Sequence, residues 1–307
     1  VKIYLNRKPV DGAWGGGNRY LKALVYKLAD RGHSIAYDLY DRNIEKYICF
    51  DPRPNDKGVA YHDIYKASRE TGAKLIQRVG DIGSHGKPAL RKMVELSIES
   101  SDEVIFVSDW TRKSIGYNGK CHIVYNHPAP EFMKARRKPT EISKKIKIVT
   151  HHWSDNLMKG FELYRALDKY IGENGKIEFT YCGRWPREIP SLENSNHVNP
   201  LDDPSEIADL ISQSDLYVSA SIAEPSGNHA IEAKFVGLPV LYHSLGGGIA
   251  EYCKGFGSSY SNFEGLLKLI KKWEPLEERL KHYELSKMLD KSIDDTVAEY
   301  VEIIESC

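Results

Sequence analysis

The stretch that decides the fold is Glu224-Pro-Ser-Gly-Asn-His-Ala-Ile-Glu232, continued by Ala233-Lys-Phe-Val-Gly-Leu-Pro-Val240. An apolar run at 215–220 precedes it, so the whole reads as strand, loop and helix. Ser226 is the expected N-cap, its hydroxyl accepting from the open amides of the first turn. Gly237 and Pro239 supply the stop. The helix then begins near Gly227 and turns bare N–H groups and a positive dipole end toward the loop. That is a setting for phosphate, and a glycine lets the ligand come close. Glu224 stands before the helix and Glu232 in its second turn, so two carboxylates flank the anion site. A ligand that brings hydroxyls as well as phosphate satisfies both, and a nucleotide sugar has those parts.

Working outward, the second half of the chain alternates strands at 146–150, 177–182, 216–220 and 240–242 with helices at 160–171 and 204–212. Beyond Gly246-Gly-Gly248 it continues as helices to the end. The first half opens with a strand at 2–6, the glycine loop Gly15-Gly-Gly17, a helix at 18–31 and a strand at 34–39. Further strands are expected at 47–50, 74–79, 103–107 and 122–125, with helices at 61–71, 88–99 and 110–115. This is the pattern of doubly wound α/β domains. The basic, proline-broken segment at 134–147 reads as a solvated linker, in preference to a basic patch for an anionic lipid or acceptor. The expected domains are 1–138 and 144–285, with 286–307 a final helix packing back on the first domain.

The remaining composition narrows the class. A chain of 307 residues has room for two cores. Its 43 basic and 43 acidic residues cancel, which argues against bulk nucleic-acid binding. No apolar run reaches the length of a membrane span, the first residues read as a strand and not as a signal peptide, and membrane contact is expected to be peripheral at most. Five scattered cysteines form no Cys-x-x-Cys pair and read as reduced thiols of a cytoplasmic protein.

Taken together, these residues resemble family 4 of the retaining nucleotide-sugar glycosyltransferases, which have the GT-B fold of two Rossmann-like domains facing a cleft. Glu224 and Glu232 stand in the family's Glu-x7-Glu arrangement, and Gly227, Glu232-Ala233 and Gly237-Leu-Pro-Val240 match its surrounding signature. Gly246-Gly-Gly-Ile-Ala-Glu251, Ser101-Asp-Glu-Val-Ile-Phe-Val-Ser108 and 124–132 are similar to further family segments. The resemblance implies that the second domain binds a sugar nucleotide and that the first holds the acceptor. It implies that Glu224 bonds the donor sugar, Glu232 the ribose, and the amides of Gly227 and Asn228 the diphosphate. Lys159, in Met158-Lys-Gly160, would neutralise phosphate charge without a metal or other cofactor. Gly16 and Gly17 would close on the donor from the first domain. Gly183 and Arg184 fall at a family glycine after the second strand of the nucleotide domain.

Two positions depart from the family. Its usual Arg, six residues before the Lys, is Trp153 here, preceded by His151 and His152. A histidine or Arg184 would have to supply the second cation. The family's His after the fourth strand is replaced by Gly80-Asp81, which leaves His85, with Asp81 as competitor, beside the donor sugar. His229 in the first helical turn reads equally as a phosphate contact or a cap. His151 and His152 lack a third metal ligand at suitable spacing, so a structural role at the loop edge is the expectation. Three rival functions fit parts of the pattern. They are a GT-B sugar-nucleotide epimerase, an idle sugar-nucleotide or glycan-binding protein, and, less favoured, a nicotinamide oxidoreductase using Asp38.

Overall fold

The computed structural model describes residues 1–11, 16–142 and 144–307, so Gly15 of the glycine loop lies outside the described residues. The chain forms two compact units, Val1–Asn126 with Ile293–Cys307, and His127–Ser292.

In the first unit, β1 (Lys2–Leu5), β2 (Ser34–Ala36), β3 (Lys46–Cys49), β4 (Lys74–Val79), β5 (Glu103–Phe106) and β6 (His122–Ile123) form one sheet. Its order is β2-β1-β3-β4-β5-β6 and every pairing is parallel. The connections are α1 (Gly16–Asp30), α2 (Tyr61–Thr71), α3 (Pro88–Ser100) and α4 (Asp109–Ile115). Parallel strands need such crossovers, and helices on both faces explain why β3 is buried along its whole length.

In the second unit, α5 (Pro130–Lys134) precedes β7 (Ile146–His152), α6 (Phe161–Asn174), β8 (Ile177–Gly183), β9 (Asn196–Val198), α7 (Pro204–Ser212) and β10 (Leu216–Ser219). Then come α8 (Asn228–Val236), β11 (Val240–His243), α9 (Gly248–Tyr252), β12 (Gly257–Tyr260), α10 (Phe263–Trp273) and α11 (Leu276–Ser286). The sheet runs β12-β11-β10-β7-β8-β9, again all parallel. The central strands β10 and β7 carry apolar side chains to both faces. Phe132, Ala230 and Phe235 pack on one face, Phe161, Leu167 and Leu266 on the other.

The last helix, α12 (Ile293–Ser306), belongs to the first unit. Its Val297, Val301 and Ile304 join the core of α1, β1 and β3, and Tyr300 meets the Tyr20 ring edge-on with centroids 5.1 Å apart. The chain changes unit at 126/127, ahead of the basic run. The physical reason is that the beginning of that run is tied to the second unit. Phe132 is fully buried there, and Arg136 donates to the carbonyls of Phe235 (3.0 Å) and Leu289 (3.1 Å). β9 and β12 are strands that the sequence pattern does not announce, since both are short and β12 is Gly-Ser-Ser-Tyr.

Candidate active site

The polar groups of the second unit collect at the carboxyl ends of β7 and β10, where ligands enter open parallel sheets. β7 ends on Thr150, His151 and His152, all buried. Past it, Leu157–Lys159 make a single tight turn in which Asn156 accepts from the Met158 amide (2.9 Å). Gly160 closes the turn at φ +79°, and a Cβ there would stand 2.4 Å from the Ala220 carbonyl. Only glycine can bring the turn this close to the end of β10, and the turn delivers Lys159 to Glu224. The two side chains form a close ion pair that is nearly withdrawn from solvent. Burial of that kind is stable only while both partners are present.

Glu224 itself is held by backbone. Ala223 and Glu224 donate to the carbonyls of Leu245 (2.8 Å) and Gly246 (3.3 Å), and Gly248 donates back to Glu224 (2.8 Å). Ala223 has φ +52°, a conformation that costs a non-glycine residue about 1 kcal/mol and that recurs at functional sites. Seven of the nine residues of α8 are buried, Glu232 and His229 among them. The helix starts differently from expectation. Its N-cap is Gly227 at φ +66°, while Ser226 donates its hydroxyl to the Asn228 side chain (3.1 Å). A Cβ at Gly227 would lie 2.3 Å from Ile249, so the left-handed cap position accepts glycine alone and displaces the serine by one residue.

Glu232 accepts from His151 Nε2 at 2.7 Å, and His151 Nδ1 lies 3.0 Å from the Tyr217 hydroxyl. A carboxylate can only accept, so a proton sits on Nε2, and the phenol, with one proton to give, lies within reach of both Nδ1 and the His151 carbonyl (3.3 Å). Burial pushes the Tyr217 phenol well above its ordinary pKa and keeps it a neutral donor. On the other face of β7, His152 Nε2 meets the Tyr164 hydroxyl at 2.7 Å, and that oxygen also accepts from the Ala220 amide (2.9 Å). His229 Nε2 bonds Ser219 Oγ at 2.8 Å, and its ring lies 4.6 Å from that of His152. The two adjacent histidines are therefore buried orienting groups, one fixing Glu232 and the other tying β7 to α6, in place of the loop-edge role expected. Gly183 ends β8 opposite His152 in register. Arg184 follows it, exposed, its guanidinium 4.0 Å above the Trp153 ring.

The first unit places its expected residues separately. Gly16 and Gly17 are the first two residues of α1. In the loop after β4, Asp81 accepts from the Gly83 amide (2.9 Å) and pairs with Lys87 (2.8 Å), while His85 is half-buried. The buried Arg78 near the end of β4 lies 4.5 Å from the ring centres of both Tyr20 and Phe50.

Residues 133–294, more than half of the chain, match the family described as glycosyl transferases group 1. The chain belongs to that family. Its structure is similar over 100% of its length to Anabaena HepE solved with UDP and glucose, with TM-score 0.71, 15% identity and 99% of that chain covered. WaaG, a glycosyltransferase involved in lipopolysaccharide biosynthesis, gives TM-score 0.70 at 13% identity, covering 99% of each chain. A sucrose-phosphate synthase from Thermosynechococcus elongatus gives 0.69 at 13%, covering 99% of this chain and 98% of that one. No curated protein matches in sequence. At these identities the structures speak for the fold, which is GT-B.

For a group 1 glycosyltransferase, the geometry brings together Glu224, Lys159, Ser226, Gly227, Asn228, His229 and Glu232 along one stretch of the second unit. Gly183 and Arg184 join them through His152 and Trp153. Sequence reasoning missed Tyr164, Tyr217 and Ser219, whose hydroxyls hold the three histidines. The available signal was a His-His pair at the end of an apolar strand, which needs buried partners wherever it occurs.

Proposed function

We propose that this glycosyltransferase moves a sugar from a nucleotide-sugar donor to a hydroxyl acceptor with retention at the anomeric carbon. The observation that carries the reading is the buried Lys159–Glu224 pair set directly before the N-terminus of α8. HepE, similar in fold, has been solved with UDP-glucose, which favours a nucleoside diphosphate sugar here as well. In this reading the Gly227 and Asn228 amides take the diphosphate, Glu224 the sugar hydroxyls and Glu232 the ribose hydroxyls. Lys159 bridges Glu224 and the phosphate. Arg184, carried on Trp153, supplies the second cation at the place where the family uses Arg, so the leaving group is neutralised by side chains and needs no divalent ion. The acceptor oxygen attacks the anomeric carbon on the face the diphosphate leaves. The C–O bond to the diphosphate breaks, and the acceptor proton passes to a diphosphate oxygen. Positioning and charge stabilisation are then the protein's whole contribution.

The test is a thermal-shift screen of nucleotide sugars, followed by turnover of the best binder with and without chelator, the product anomer being read by NMR. Retention with chelator present is expected. Inversion of the anomer, or loss of activity to chelator with recovery on Mg²⁺, overturns the mechanism. Saturable binding without transfer or hydrolysis supports an idle binding protein instead.

A further inference from the structure

At the opposite, amino-terminal edge of the second sheet lies a cavity of about 370 Å³. Its walls come from the basic run through Arg137 and Lys138, from Lys147 at the start of β7, from the end of α7, and from the end of α8 with the Gly237–Pro239 turn. Asp215 lies at the start of β10, and both of its carboxylate oxygens are already engaged. One accepts from the Lys147 amide (2.8 Å) and the other from the fully buried Arg279 (2.9 Å). The acidic group is thus neutralised from within. Lys138 and Lys147 line the cavity and make no ion pair among the described residues, and Arg137 touches Asp209 only at 4.0 Å.

The ends of α7 and α8 point their carbonyls toward this place, and basic side chains near a helix C-terminus can simply offset its dipole. Here Arg136 already performs that task for α8, bonding the Phe235 carbonyl directly from outside the cavity wall, and the last carbonyls of α7 accept from the amides of Gln213 and Ser214. With Arg279 spent on Asp215, the other three lining cations, Arg137, Lys138 and Lys147, border with Thr140 and Ser214 an open space of small-molecule size. We infer that this cavity is a second ligand site, for a small phosphate monoester bearing hydroxyls, distinct from the donor end of the same unit. The elements that wall it also carry the candidate active site. β7 runs from Lys147 to His152 and α8 from the amides at Asn228 to Val236, so the two sites sit at opposite ends of the same strand and helix. The strand length separates them by about 15 Å. The inference stands on the second unit alone and does not depend on the donor assignment.

The experiment titrates the full chain with inorganic phosphate and with glycerol 3-phosphate by calorimetry, comparing wild type, Lys138→Glu/Lys147→Glu and Lys159→Ala. Thermal melts check that each variant is folded, and both exposed lysines can be replaced without touching the core. Saturable binding, weakened about tenfold or more in the double variant and retained in Lys159→Ala, is the expected result. Absence of saturable phosphate binding overturns the proposal. So does binding that Lys159→Ala abolishes and the double variant keeps, because the anion then sits at the donor end. Vesicles of phosphatidylcholine and phosphatidylglycerol form a third arm. Lysine-dependent vesicle binding without binding of either soluble phosphate overturns the small-molecule assignment in favour of a lipid surface.

Discussion

The carboxyl edges of the two sheets have the same architecture and opposite uses of charge. In the second unit, the ionisable side chains are bonded to one another across the site, Lys159 paired with Glu224 and His151 donating to Glu232. In the first unit, the buried cation Arg78 lies against aromatic rings, and Asp81 is engaged by its own loop and Lys87. Carboxylate–cation pairs can exchange partners with a charged, hydroxyl-bearing ligand. A guanidinium stacked beside Tyr20 and Phe50 is a structural pin. Two Rossmann-like units can therefore share a fold and still use charge differently at the same edge.

The comparison breaks first at the pair. Lys159→Ala or Glu224→Ala is expected to lower kcat by about 10³-fold, on the order of 4 kcal/mol, with the rest of the unit still folded by circular dichroism. A soluble variant with unchanged turnover would remove the second unit's claim to the chemistry. A smaller effect concerns acid stability. His282 packs against Phe256 and Trp273, and burial lowers its pKa to about 4. The unfolded histidine takes up a proton near pH 6.5 and the folded one only near 4. Stability of the second unit is thus full above pH 6.5 and falls as pH drops through this window, by about 3 kcal/mol in all. Urea titrations at a series of pH values read this directly, and His282→Gln should flatten the slope. Smallest is the pin. Arg78→Met is expected to destabilise the first unit by about 2 kcal/mol through lost stacking, while leaving affinity for a nucleoside diphosphate unchanged. A drop in that affinity would mean that the first unit's edge also serves the donor.

Much of this was legible in the sequence where local patterns are strong. The elements at 61–71, 74–79 and 204–212 have the bounds that periodicity and flanking Gly or Pro predict. β9 and β12 were not, because three or four polar or small residues gain their strand character only from a neighbour's ladder. At the site, Glu224 and Glu232 could be picked out by spacing on one segment. Lys159 could be named only through the family resemblance, and the pairings themselves could not be read, since Lys159 and His151 lie 65 and 81 residues away in sequence and are joined to the two carboxylates only by the sheet. The cap shifted from Ser226 to Gly227 for a reason no local rule contains, the approach of Ile249 from α9.

The burial of α8 has a consequence for how this enzyme can change. A helix wetted on one side can trade its outward residues freely, but seven of nine positions here are interior. Glu232 and His229 are core residues and candidate ligand contacts at once. Any substitution that retunes donor preference at these positions must also be accommodated by His151, His152, Tyr217 and Ser219 around them. Donor preference in this chain should therefore be slow to drift and easiest to alter from the loops, at Trp153, Arg184 and Ser226, where the cost to packing is least.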